Sequence, residues 1–299
     1  MKRLFTFGCS FTNYCWPTWA DAIGTSFFDE YYNYGRPGAC GRYMSEHLVR
    51  AHHIHDINKN DVVMMMWSTF DRETRYLPNN QYSKRYNVLG DGWFAEGSVA
   101  GQYDKSYLNY VDAIDLIHKH LMFVDLCHSF LQNIGCEYHM LSMIDINEHI
   151  DYCNQCLHEN YQELKMCDVD LDMVMNYPAL QNFIPSVYSL HPYWEYDNFI
   201  GNFDFRIDSH PLPDEHIHFL QQAFPEYGLK LPDKTLQVFD YITKKINQKS
   251  SEYSKPEDYP ARLVLSDDWV NMEKLYSFRQ DLFNDDLFTN CKLTILDKR

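Results

Sequence analysis

Short apolar runs alternate along the first half of the chain with longer segments whose apolar residues recur at helical spacing. The strand-length runs are residues 3–7, 30–34, 61–67 and 137–143. The run at 61–67 is almost wholly apolar, which is typical of a strand buried on both faces of a sheet. The helical segments are residues 17–24, 41–53 and 105–133. This alternation predicts an α/β fold in which helices cover both faces of a parallel central sheet.

Two later segments interrupt this pattern. Residues 76–103 are rich in Asn, Gly and Tyr, and we predict a long loop there. Residues 150–205 are aromatic and irregular, and we interpret them as an insertion or a lid. Loops of such length inside a compact domain are usually functional.

The end of the chain divides into three parts. Apolar residues at helical spacing predict an amphipathic helix over 233–248, and the polar stretch 248–260, with two prolines, is the best linker candidate. We therefore predict one domain over residues 1–247, a linker over 248–260 and a short C-terminal extension over 261–299.

The charge balance limits the classes of partner. The 299 residues carry a formal net charge of −16, from 26 basic and 42 acidic side chains, and no basic run is longer than Lys244-Lys245. Tracking a phosphate backbone needs clustered Lys and Arg, so we expect no nucleic-acid partner. Aromatic residues make up 16% of the chain. They are suited both to stacking on sugar rings and to ordinary packing, and composition favours packing.

No segment indicates export or membrane insertion. The first predicted strand starts almost at the N-terminus, and no apolar stretch resembles a signal peptide or a bilayer span. Nine cysteines are scattered without the spacing of a disulfide framework. We therefore expect a cytoplasmic protein whose thiols are mostly reduced. The oligomeric state is left open.

The first stretch that could carry chemistry is Gly8-Cys9-Ser10, between the first strand and the first helix. A helix N-terminus offers unpaired N–H groups that stabilise negative charge developing on an acyl oxygen. Ser10 is thus a candidate nucleophile, with Thr12 or Asn13 available to cap the helix. The alternative is a structural turn serine, which these residues alone would favour. Cys9 is expected to be a small buried residue.

Two further stretches favour the interpretation of Ser10 as a nucleophile over that of a structural serine. Residues 33–43 follow the second strand and hold glycines that could present a backbone N–H at the carboxyl edge of the sheet, where open parallel sheets bind ligands. Residues 206–216 place Asp208 and His210 just before a helix predicted to start near Pro213. A carboxylate beside an imidazole can orient it as the base that takes a serine's proton. Each stretch alone is also compatible with an ordinary loop.

Other clusters are weaker. Cys153 and Cys156 with His158 have metal-like local spacing, but no second cysteine pair completes a zinc site. His52, His53 and His55 end a predicted helix, where histidine complements the dipole. No glycine-rich phosphate loop is followed by Lys and Ser or Thr. We expect no metal and no cofactor.

Taken together, these stretches resemble the sequence blocks of the SGNH (GDSL-like) hydrolases. Gly8-Cys9-Ser10-Phe11 is similar to the first block, and Asn33-x-Gly35-x-x-Gly38 to the second. Residues 61–67 stand where the third block would be, and Asp208-Ser209-His210-Pro211 is similar to the last. The blocks fall in the family's order and span about residues 1–247.

The resemblance implies a three-layer α/β/α sandwich, similar to the flavodoxin-like arrangement, and ester hydrolysis through an acyl-enzyme. It makes Ser10 the nucleophile, His210 the general base and acid, and Asp208 the carboxylate that orients it. The backbone N–H groups of Ser10 and Gly38 would be two donors of the oxyanion hole.

This chain departs from the family pattern twice. The third block usually supplies an Asn as another oxyanion donor, whereas here Ser68, Thr69 or Arg72 would have to donate in its place. One residue separates Asp208 from His210 where the family usually has two. The "D-x-H-P" form, with a second histidine six residues on, is similar to divergent members that include virus-encoded ones. His216 is therefore a reserve candidate for the base.

The sequence thus predicts a serine esterase acting on a small acyl ester, with O-acetyl groups on a carbohydrate as the leading substrate. The sugar part rests on analogy and on Trp93, Tyr193 and Trp194, which would flank the site. The partner is then a small-molecule or glycan ester. Two alternatives remain, namely a glycan-binding or structural module on a degraded hydrolase fold, and an acyltransferase using the same triad.

Overall fold

The sheet is built from four short strands and a two-residue fifth. In this computed structural model the described residues are 2–14, 16–70, 72–76, 93–98, 113–145, 183–184 and 210–252. The strands of the main sheet are β1 (Arg3–Phe7), β2 (Glu30–Asn33), β3 (Val62–Trp67), β6 (Glu137–Ser142) and β7 (Phe183–Ile184). A separate antiparallel pair is formed by β4 (Arg72–Tyr76) and β5 (Trp93–Ser98).

Six helices lie within the described ranges. They are α1 (Trp19–Phe27), α2 (Gly41–His55), α3 (Ala113–Ile134), α4 (Pro213–Ala223), the single turn α5 (Pro225–Gly228) and α6 (Asp233–Glu252). None of the helices in these ranges combines the length and the apolar composition needed to cross a membrane.

The strand order is β2-β1-β3-β6-β7, and every pairing in this sheet is parallel. The first crossover runs outward from β1 to β2, and the second returns past β1 to β3. Because such crossovers are right-handed, α1 and α2 lie on opposite faces of the sheet. Packing agrees with this, since α3 contacts α2 whereas α4 and α6 join the layer of α1. The predicted α/β fold, a parallel sheet flanked by helices, is confirmed.

The core is centred on β3. All six of its residues are buried, and the four buried residues of β1 pack beside them. Trp19 of α1 meets Phe219 of α4 edge to face on one side of the sheet, with ring centroids 6.1 Å apart. On the other side, the Cβ position of Gly41 in α2 lies 3.4 Å from the ring of Trp67. Because helices cover both faces of the sheet at β3, all residues of this strand are buried, and its sequence is accordingly apolar throughout.

The start of the first helix differs from the sequence prediction. The helix begins at Trp19, and its N-cap is Thr18 rather than Thr12 or Asn13. The N–H of Thr18 donates to the Asp21 carboxylate at 2.8 Å, and its hydroxyl donates to the Thr12 carbonyl at 2.7 Å. The first bond is the half of a capping box that runs from the N-cap backbone to the third helical residue, and the second holds the cap against the turn that follows β1.

Two other segments also differ from their predictions. The long loop predicted over 76–103 contains β5, which pairs with β4, because Trp93 and Phe94 supply the aromatic residues that favour strands. The last helix runs to Glu252, five residues into the predicted linker. The division into domain, linker and extension stays a prediction, because residues 253–299 and all of 150–205 except β7 lie outside the described residues.

Candidate functional site

The candidate site lies where the chain changes direction across the sheet. From β1 the chain crosses to β2 on one side, and from β3 it crosses to β6 on the other. Such a switch point leaves a crevice outside the carboxyl ends of the two adjacent strands, and open parallel sheets bind their ligands there. Ser10 follows β1 and Ser68 follows β3, so both serines stand at this edge.

Ser10 lies in a tight turn that closes on the end of β1. The N–H groups of Thr12 and Asn13 both donate to the Cys9 carbonyl, at 3.0 and 3.1 Å. Glycine at position 8 is required by this turn, because a Cβ there would come within 2.0 Å of the Thr12 hydroxyl oxygen and 3.1 Å of the Met66 carbonyl oxygen. Ser10 itself is only 3% exposed. The turn therefore presents a largely buried serine beside the end of β3.

The loop after β2 is bonded directly to this turn. The N–H of Arg36 donates to the Gly8 carbonyl at 2.9 Å, and the Asn13 side-chain amide donates to the Gly35 carbonyl at 2.8 Å. Gly38 has φ of 76°, the left-handed region that glycine adopts without strain. The structure thus joins the loop that carries Gly38 to the strand end that carries Ser10.

The residues after β3 provide buried donors at the same edge. Ser68 is 4% exposed and Thr69 is 7% exposed. The Ser68 hydroxyl and the Arg72 Nη1 are buried, and neither has a hydrogen-bond partner among the described residues. A buried polar group without a hydrogen bond costs roughly 1–3 kcal/mol, so each such group needs an explanation, and a bound ligand is one of these. Both atoms are hydrogen-bond donors of the kind that can bind an anionic oxygen.

His210 is held by aromatic residues of the Ser10 turn. Its imidazole stacks on the ring of Tyr14 with centroids 4.0 Å apart and planes at 15°, and Phe11 meets it edge-on at 5.8 Å. The indole N–H of Trp16 donates to the Pro211 carbonyl at 2.8 Å. These aromatic contacts were not predictable from the sequence, in which their only signal is the density of aromatic residues after Ser10. Asp208 lies outside the described residues.

His216, the reserve candidate for the base, is buried on the first turn of α4. It is 1% exposed, and burial lowers its pKa to about 3, with a further contribution from the positive charge of nearby His210. A general base works best when its pKa lies near the working pH. His216 is therefore poorly suited to take and hold a proton at neutral pH, whereas His210 is partly exposed.

The low pKa of His216 predicts a stability change with pH. In the unfolded chain a histidine takes up its proton near pH 6.5, but in the folded protein His216 does so only near pH 3. The unfolded state therefore binds more protons between these values, and stability falls as the pH is lowered through this window. From pH 7 to pH 5 this group should lower the free energy of unfolding by about 2 kcal/mol.

Urea denaturation of the wild type and of His216→Gln at pH 7 and pH 5 measures this contribution. Comparing the two proteins cancels the titration of the other histidines. The wild type should lose more stability than His216→Gln over this interval, and equal losses would contradict a neutral, buried His216.

The remaining candidates for metal binding have other contacts. Within the described ranges, no group of three or more His, Cys, Asp or Glu side chains is arranged to hold a metal ion. His55 bonds to the Tyr34 hydroxyl at 2.8 Å and His52 to the Ile57 carbonyl at 3.1 Å. Cys9 is buried, as predicted. The group Cys153, Cys156 and His158 lies outside the described residues, as do Tyr193, Trp194 and the side chain of Trp93.

Comparison with known proteins gives one similarity. No known family profile matches the sequence, and no curated protein matches it. A crystal structure of a member of the lipolytic protein G-D-S-L family from Veillonella parvula is similar, with 14% identity and a TM-score of 0.36. The match covers 75% of this chain and 99% of that chain. At this TM-score the two backbones agree only in part, and the roles of individual residues rest on this chain's own geometry.

Proposed function

We propose that the protein is a serine hydrolase that cleaves a small acyl ester. In this proposal Ser10 is the nucleophile, His210 the general base and acid, and Asp208 the carboxylate that orients it. The observation that carries the proposal is the stack of His210 on Tyr14. This stack brings a partly exposed imidazole from about 200 residues further along the chain to the turn of Ser10, at the switch point of the sheet.

The proposed reaction has two halves. His210 accepts the hydroxyl proton of Ser10 as the oxygen attacks the ester carbonyl, and the protonated imidazole then gives this proton to the leaving alcohol. Water next attacks the acyl-enzyme with His210 again as the base, which releases the acid and restores Ser10. Acyl transfer to a sugar hydroxyl would use the same residues with a different acceptor.

The developing oxyanion would be bound by backbone and side-chain donors together. The N–H groups of Ser10 and Gly38 supply the backbone part. Ser68, Thr69 and Arg72 are the candidates for the remaining donor, and the buried unbonded atoms of Ser68 and Arg72 support the first and third of these. One such donor is typically worth about 2.7–4 kcal/mol of transition-state stabilisation.

The substrate class we propose is a small acyl ester, with an O-acetyl group on a carbohydrate as the leading candidate. The near-complete burial of Ser10 supports a small acyl group, because a long chain would need a wide apolar channel beside it. A panel of acetyl, butyryl and octanoyl esters of 4-nitrophenol should show the highest kcat/KM with the acetyl ester.

Labelling with a fluorophosphonate probe tests the proposal. The wild type should form one adduct, which mass spectrometry should locate on Ser10, and Ser10→Ala should form none. Ser45→Ala is the control, because Ser45 lies on α2 and its hydroxyl donates to the Gly41 carbonyl at 2.8 Å. A folded wild-type protein that forms no adduct would contradict the proposal and favour a binding module on the same fold.

A further inference from the structure

Two aromatic side chains from the turn after β1 contact His210, and a third bonds to Pro211. Phe11, Tyr14 and Trp16 are all at least 95% buried, with exposures of 2%, 4% and 5%. The rings of Tyr14 and Trp16 meet edge to face with centroids 4.6 Å apart. We call these three residues the aromatic clamp. The described part of the protein thus contains a packed aromatic cluster where the proposed site needs an accurately placed imidazole.

Each member of the clamp constrains a different feature of His210 and Pro211. Trp16 bonds to the Pro211 carbonyl at 2.8 Å and so holds the backbone immediately after His210. Tyr14 lies nearly parallel to the imidazole, at 15° and 4.0 Å, which restrains rotation of the ring out of that plane. Phe11 contacts the imidazole edge-on, at 62° and 5.8 Å. The face of the imidazole is therefore oriented by Tyr14 in particular.

We propose that Tyr14 is a positioning residue that orients His210 for proton transfer with Ser10. This inference rests on the proposed function and adds to it a residue that none of the sequence blocks contains. Tyr14 acts through the face of its ring, because a flat aromatic face constrains the plane of a stacked imidazole and its quadrupole favours a positive charge placed over it. It therefore supports the imidazolium that forms when His210 takes the proton.

Replacing the ring tests this role. Tyr14→Leu removes the aromatic face but keeps an apolar side chain, whereas Tyr14→Phe keeps the face. We expect Tyr14→Leu to lower kcat for 4-nitrophenyl acetate, per probe-reactive Ser10, by about ten- to a hundredfold, as small misplacements of a reacting group do. KM should stay within about twofold, because the change affects the chemical step more than substrate binding. Tyr14→Phe should retain most of the wild-type kcat.

Phe224→Leu is the matched control. Phe224 is an aromatic residue that is 1% exposed, and its ring contacts a histidine, His139, with ring centroids 5.2 Å apart. It directly follows the C-terminal end of α4, whereas His210 precedes the N-terminal end of this helix. The Phe224→Leu variant should lower the melting temperature about as much as Tyr14→Leu does and leave kcat per reactive serine unchanged. The proposal would be overturned if Phe224→Leu lowered kcat as much as Tyr14→Leu does. It would also be overturned if Tyr14→Phe lowered kcat as much as Tyr14→Leu does.

Proton NMR of the His210 ring separates this proposal from the proposed function. In histidine-labelled protein, with the signal assigned through His210→Gln, the stacked ring should resonate upfield because of the Tyr14 ring current. The signal should move downfield in Tyr14→Leu and stay in Tyr14→Phe. A signal that Tyr14→Leu leaves in place would refute the stack itself. An upfield signal in a wild type that forms no Ser10 adduct would instead refute the hydrolase and, with it, the role of Tyr14 in proton transfer.

Discussion

The double variant Ser10→Ala/His210→Ala is expected to be no less active than either single variant. Each single change should lower kcat for 4-nitrophenyl acetate by about 10⁴- to 10⁶-fold, because a nucleophile without its base and a base without its nucleophile both fail at the same step. Removing the second member of such a unit then removes nothing further. The residual rate would come from binding and the oxyanion donors.

Single-turnover kinetics on the three variants measure this non-additivity. His216→Gln provides the discriminating comparison, because the charge of His210 acts on His216 and the two histidines therefore lie near each other. It should keep most of the wild-type kcat at pH 7, since a histidine whose pKa is about 3 makes a weak base. Losses that multiply in the double variant, or a His216→Gln variant as inactive as His210→Ala, would contradict the assignment of His210.

The second large effect is a loss of stability, and it is expected at the amino ends of the strands, opposite the proposed site. Asp61 is 2% exposed and accepts two hydrogen bonds from the Arg3 guanidinium, at 2.7 and 2.6 Å. It also accepts the Asn58 N–H at 2.8 Å. The same guanidinium donates to the His55 carbonyl at 3.0 Å, so this pair joins the start of β1 to the end of α2. The hydrogen bonds to Asp61 raise the pKa of Arg3.

Asp61→Ala is expected to lower the free energy of unfolding by roughly 3–5 kcal/mol, because it leaves a partly buried guanidinium without its carboxylate. Urea denaturation with a constant m-value measures the change. Activity per folded molecule should be unaffected, since Asp61 lies at the amino ends of the strands and the proposed site lies at their carboxyl ends.

Glu137→Gln serves as the comparison for this prediction. The Lys2–Glu137 pair is long, at 3.4 Å, and both side chains are 48% exposed. An exposed pair of this kind contributes at most about 1 kcal/mol, so Glu137→Gln should change stability little. The double variant Arg3→Met/Asp61→Leu should recover part of the loss, since it removes both charges together. A loss in Asp61→Ala no larger than that in Glu137→Gln would show that the buried pair is not a major contributor.

The strands were predictable because their signal is local. The run predicted over 3–7 matches β1, and that over 61–67 differs from β3 (Val62–Trp67) by one residue. A strand buried on both faces must be apolar throughout, so its sequence alone delimits it. The cap of α1 was less predictable, because Thr12, Asn13 and Thr18 all precede the helix. The pairing of Thr18 with Asp21, three residues on, was the signal that distinguishes them.

The surroundings of His210 could not be predicted in this way. The sequence indicates Ser10 and His210 as candidates through short local patterns, but it holds no pattern that pairs Tyr14 with His210. Such a contact depends on how α4 packs on α1 and on which way the turn after β1 faces. The same holds for Ser68, whose candidacy came from a family pattern and whose burial without a partner is a property of the packed structure.

The bond from Trp16 to the Pro211 carbonyl joins positions 195 residues apart, and this separation matters while the protein is being made. A ribosome adds residues from the N-terminus onward, so β1 and its serine leave the exit tunnel long before the histidine block is synthesised. Until then, the nascent chain lacks the proposed base and cannot carry out the proposed reaction. The aromatic clamp can therefore close only after Pro211 has been synthesised, and the proposed site cannot form on the nascent chain before that point.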